Sequence, residues 1–113
     1  GTKAAEGSLQ TIRGDHLVYV MEQLLVRLTH APRSEVMDTL RRHIAESGAD
    51  RAESHVAVYE HASVETDFCV QIEATTAHGA TAHDLALHLA SGLQRIGIVQ
   101  HTRWRSTGQW RLQ

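Results

Sequence analysis

The chain reads as an α+β domain of the ferredoxin-like type, βαββαβ, with a four-stranded antiparallel sheet and two helices on one face. Three observations predict this. Hydrophobic patterns run strand, helix, two strands in a row, helix, strand within residues 17 to 105, the order of the split β-α-β motif. The 113 residues suffice for one two-layer core and fall short of two independent ones. Hydrophobic residues at 42% and charged residues at 21% match an ordinary globular domain. The expected layout is a flexible arm over residues 1–15 and a single domain over residues 16–113.

Residues 1 to 14, GTKAAEGSLQTIRG, carry few large apolar side chains and three glycines, so they bury little surface and read as a loosely attached arm. From His16 to His30 the run HLVYVMEQLLVRLTH is rich in β-branched and long apolar types. Leu24, Val26 and Leu28 alternate there with Leu25, Arg27 and Thr29, which predicts a core strand over 23–30, with 17–21 as an extension or separate edge strand. Pro32 stops it. Ser34 then suits a helix cap, Val36, Met37, Leu40 and Ile44 form one stripe, and Gly48 ends the helix.

Ser54 to Glu60 alternates as a strand, with Val56 and Val58 on one face and His55, Ala57 and Tyr59 on the other. The polar stretch HASVETD returns the chain into Phe68 to Thr75, completing a longer-loop hairpin. Thr81 and Asp84 fit a capping box before Leu85, Leu89, Gly92, Leu93 and Ile96, which recur at helical spacing, and Gly97 is the expected terminator. IVQHTRWR, residues 98 to 105, supplies the last strand. Trp110 and Leu112 in the tail would be wasted in solvent and are expected against a neighbouring surface, such as another subunit.

Composition excludes several function classes. A formal net charge of -2 gives no support to nucleic-acid or anionic-membrane binding. An RNA-binding sheet also needs exposed stacking aromatics, and the central strands offer only Tyr59. One cysteine, Cys69, rules out an internal disulfide, and no signal peptide or membrane span is visible, so a cytoplasmic protein is expected. Nine histidines make the charge pH-sensitive.

With Leu24, Val26, Leu28, Val56, Val58, Phe68, Val70 and Ile72 facing the helices, the uncovered face receives Leu25, Arg27, Thr29, His55, Tyr59, His61, Cys69, Gln71 and Glu73. His101, Arg103 and Arg105 are expected on that same face, alternating with Thr102 and Trp104. A face this amphipathic is either solvated or closed by a second copy into a lined cavity, a default small-molecule site.

The run LALHLASGLQRIGIVQHTRWR, the hairpin HVAVYEHASVETDFCVQIEAT and the segment LLVRLTHAPRSEVMDTLRRHI together resemble the antibiotic-biosynthesis-monooxygenase and stress-responsive group of dimeric α/β barrels. That resemblance spans nearly the whole chain after Gln23. It implies a homodimer whose sheets meet, with a ligand pocket between sheet and helices or loops; some members are cofactor-free monooxygenases of aromatic or phenolic metabolites, oxidoreductases by class, others degrade haem, and many have no assigned function. Catalytic relatives use an asparagine with tryptophan around the substrate, and this sequence contains no asparagine; no catalytic residue is transferred. The expected ligand-binding residues are Arg27, Tyr59, His61, Gln71, His101, Arg103 and Trp104, with no cofactor and no metal. His101 or His61 would act as base, Arg27 or Arg103 would hold an anion, and Trp104 and Tyr59 would flank an aromatic ring. The alternative is a ligand-binding or dimerisation module without turnover.

Two other constellations carry a bland reading. His78, His83 and His88 are five apart, so on a helix successive rings diverge by about 140° and cannot share an ion. His55, His61 and His101 could still converge from neighbouring strands. Cys69 reads as a structural thiol, and Arg27 with Glu73 as a cross-strand ion pair for which Arg103 competes.

Overall fold

The computed structural model describes residues 9–11, 19–29, 31–47, 54–108 and 110–112. Strands and helices follow in the order β1 (Leu9–Thr11), β2 (Tyr19–Leu28), α1 (Ser34–Ser47), β3 (Ser54–Glu60), β4 (Asp67–Thr75), α2 (Gly79–Leu93), β5 (Gly97–Arg105) and β6 (Trp110–Leu112). The main sheet has the order β3-β4-β2-β5 with every neighbour antiparallel. This is the ferredoxin-like α+β fold, as the order of patterns predicts.

Registers fix which side chains share a face. Leu24 pairs with Val70 and His101, Val26 with Phe68 and Val99, and Val56 and Val58 with Ile72 and Val70. Together with Val36 and Leu40 of α1 and the stripe Ala82, Leu85, Ala86, Leu89, Ala90 and Leu93 of α2, they close one core. Each fully buried Leu or Ile there contributes about 1.5–3 kcal/mol. Alanines on the α2 stripe let that helix lie close to the sheet, and α1 packs alongside α2.

Several expectations are corrected in detail. One strand runs unbroken from Tyr19 to Leu28, because the partners β4 and β5 pair along its whole length. α2 begins at Gly79 after a 3-10 turn at Thr76–His78, so Thr81 lies inside the helix and no side chain caps its start. The helix ends at Leu93, and Gly97 opens β5. Glycine is needed there because a Cβ would come within 2.4 Å of the Arg27 carbonyl oxygen. On α1, Met37 is exposed and Thr39 is buried in its place.

Leu9–Thr11, inside the expected arm, pair antiparallel with Trp110–Leu112 as a separate two-stranded ladder. The rest of that arm, residues 17 and 18 and the expected stop at Gly48 lie outside the described residues. Trp110 remains exposed. Among the described residues no helix is long and apolar enough to cross a membrane.

Candidate functional site

β2 carries a carboxylate where its alternation demands an apolar residue. Glu22 stands two positions before Leu24, on the helix side of the sheet, and is 0% exposed. A buried carboxylate needs partners for its oxygens, since an unpaired one would take up a proton or unfold the site. Three side chains supply them, two from β5 and one from α2. Arg103, its register partner on β5, donates from Nε to Oε2 at 2.7 Å. Oε1 lies 2.7 Å from His101 Nε2 and 2.9 Å from Nδ1 of His83, on α2. The two rings stack with centroids 5.7 Å apart.

Burial raises the Glu22 pKa, but the hydrogen bonds from His83, Arg103 and His101 and the charge of Arg103 outweigh it. Its carboxyl therefore titrates below the usual value of 4.5. An ionised carboxylate only accepts, so His83 carries a proton on Nδ1 and His101 one on Nε2. In the neutral rings the opposite nitrogens, His83 Nε2 and His101 Nδ1, are then lone-pair bases. The side chains of His83, His101 and Arg103 are 32%, 20% and 56% exposed, so the outer side of the cluster meets solvent. An anchored anion behind a partly exposed imidazole can orient a base and stabilise the imidazolium it becomes.

The expected ligand residues fall into separate places. Arg27, Tyr59 and His61 line a cavity of about 510 Å³ on the open face, with Leu25, Cys69 and Ile98. Gln71 lies on the same face between Gln23 and Ala57. Trp104 is also on the open face, where its Nε1 donates to Thr102 Oγ1 at 3.1 Å and Gln23 Oε1 at 3.3 Å, beside a second cavity of about 380 Å³.

His101 and Arg103 are not on the open face; they point to the helices. Pairing of Leu24 with His101 and of Glu22 with Arg103 sets that parity, and Ile98, Gln100, Thr102 and Trp104 take the other side. Arg27 pairs with Asp67, not Glu73, through two bonds of 2.8 and 2.9 Å, because Asp67 is its direct cross-strand partner. Glu73 sits opposite Met21 and His55 instead. His61 Nδ1 accepts the backbone N–H groups of Ser63 and Val64, both at 3.0 Å, so that nitrogen holds the hairpin loop and is not a free base.

Sequence reasoning missed Glu22, whose signal is its parity. Read as one strand from Tyr19, β2 places a glutamate at a core position, which is an anomaly worth pursuing.

No family model matches the chain, and no curated protein matches it. Solved structures do. A variant of SnoaB, a cofactor-independent oxygenase from Streptomyces nogalater, superposes with a TM-score of 0.59 at 17% identity, over 80% of this chain and 92% of that one. A conserved protein of unknown function from Bacteroides thetaiotaomicron gives 0.55 at 15% identity, over 78% and 97%. A dimeric ferredoxin-like protein of unknown function from Thermobifida fusca gives 0.52 at 10% identity, over 86% and 97%. The chain therefore has the ferredoxin-like fold of these proteins, the fold implied by its resemblance to the antibiotic-biosynthesis-monooxygenase group.

Proposed function

We propose that this chain is a small-molecule-binding protein in which the Glu22 cluster performs cofactor-independent proton abstraction on an acidic aromatic or phenolic ligand. The observation that carries this reading is a fully buried carboxylate holding two partly exposed imidazoles beside an arginine. His101 or His83 takes the ligand proton on its free nitrogen, Glu22 stabilises the resulting imidazolium, and Arg103 offsets the charge of the ligand anion. An electron-rich phenolate or enolate can pass an electron to dioxygen without a metal or flavin, and the Streptomyces neighbour is a cofactor-independent oxygenase.

A homodimer belongs to the same proposal. Leu25, Tyr59, Ile98 and Trp104 on the open face are 41%, 54%, 65% and 55% exposed, more large apolar surface than one sheet face usually leaves in water. A second copy laid on that face would cover them.

Oxygen uptake with a panel of hydroxylated aromatics, in the presence of chelator, tests the chemistry. Uptake that falls in His101→Ala and Glu22→Gln supports it. Uptake indifferent to both changes would overturn it. Ligand binding without uptake would favour the alternative, a binding module without turnover.

A further inference from the structure

A second cluster is built between the two helices. His43 and Glu46 are one turn apart on α1, and His88 faces them from α2. His43 Nδ1 is 3.3 Å from His88 Nε2. Glu46 Oε2 is 3.8 Å from the first and 4.0 Å from the second. We propose that His43, Glu46 and His88 form a binding site for one divalent transition-metal ion of the zinc type.

Geometry carries the proposal. A triangle with sides 3.3, 3.8 and 4.0 Å has a point about 2.2 Å from all three corners, close to the ~2.0–2.2 Å bonds that zinc makes to imidazole nitrogen and carboxylate oxygen. The nitrogen pair already stands at the ~3.3 Å edge of a tetrahedron with such bonds. Glu46, 54% exposed, can close the remaining few tenths of an ångström. Two imidazoles and one carboxylate make the donor set of a three-ligand site with a position left for water or ligand.

The His43 ring is held for this task. It lies against Gly92, where a Cβ would come within 2.2 Å of the ring, so only glycine lets α2 pass so close. Burial, the largest influence, pushes the His43 pKa down; the charges of His88, Arg42 and Arg95 act the same way, and Glu46 opposes them. Burial thus favours the neutral ring, the form that can bind a metal. Its Nε2 is buried without a hydrogen-bond partner. Without metal the cheaper tautomer donates Nδ1–H to His88; with metal the proton moves to Nε2, where no acceptor awaits it. This cost, and the nearby arginines, place the affinity well below that of a structural zinc site.

Neither the sequence spacing of five nor the Glu22 cluster is involved. His88 works with α1, and His83 with the sheet. The test is calorimetric titration of the untagged, chelator-treated protein with Zn²⁺ alone, run on wild type, His88→Ala, Glu46→Gln and His83→Ala. Second-layer changes at metal sites cost 10–100-fold, so loss of the ligand His88 should weaken binding about a hundredfold, and Glu46→Gln about tenfold or more. His83→Ala should bind as wild type does. His88 and Glu46 are partly exposed, so these variants keep the core, and unchanged far-ultraviolet circular dichroism checks it. Binding unaffected by His88→Ala, binding lost in His83→Ala instead, or no saturable binding to wild type would each overturn the proposal.

Discussion

Replacing Glu22 with Gln removes the charge at the centre of the cluster and keeps its volume. Two hydrogen bonds from His83 and His101 become neutral ones, a loss of about 1 kcal/mol each given ~1.5–3 for charged and ~0.5–1.5 for neutral bonds. The amide nitrogen would then face Arg103 Nε, donor against donor, costing about 1–2 kcal/mol more. Because Arg103 is 56% exposed it can turn to water, which caps its own share at about 1 kcal/mol. The expected destabilisation is about 2–4 kcal/mol, or a fall in Tm of roughly 10 °C or more for a domain of this size. Urea unfolding at neutral pH measures it. The carboxyl pKa is lowered by folding, so its contribution is fully present above about pH 4.5 and is lost as pH falls through the folded value. The gap between wild type and variant should therefore close in acid. A variant within about 0.5 kcal/mol of wild type at neutral pH, or a gap that widens in acid, would refute the reasoning.

Three further outcomes are expected. Asp67, paired with Arg27, should titrate near pH 2, well below its ordinary 3.8, when followed by carboxyl NMR, and Arg27→Gln should return it toward that value. The stabilisation from this pair is present above about pH 4 and lost as pH falls through about 2. Leu25→Asp should halve the sedimentation mass while leaving the circular dichroism unchanged; an unchanged mass would count against dimerisation through the open face. Gly97→Ala should lower stability by about 1–3 kcal/mol, because the new Cβ meets the rigid Arg27 backbone, and wild-type-like unfolding would show that β2 and β5 can separate there.

Much of the architecture was legible because strand and helix periods differ. Val56 and Val58 against His55 and Tyr59, and Phe68, Val70 and Ile72 against Cys69 and Gln71, leave no second reading of their faces. β5 did leave one. Ile98 and Val99 are adjacent and both apolar, so the sequence offers two parities, and only pairing with β2 decides that His101 and Arg103 turn inward. The start of α2 was hidden by the polar, glycine-containing run at 76–84, which resembles a loop until Gly79 and Ala82 are seen buried on the sheet. The Glu22 cluster joins residues 61 to 81 positions apart. No local pattern encodes such a meeting; a glutamate in phase with Leu24 and Val26 was its only trace.

The central claim is that an ionised Glu22 accepts a hydrogen bond from each of two histidines and so fixes which ring nitrogen carries the inward proton. Long-range ¹H–¹⁵N NMR of the imidazole rings at neutral pH tests it most directly. The account predicts a proton on Nδ1 of His83 and on Nε2 of His101, with the resonances of both protonated nitrogens shifted in Glu22→Gln as the acceptor loses its charge. A His83 ring with no proton on Nδ1, or rings indifferent to the loss of the Glu22 charge, would contradict it.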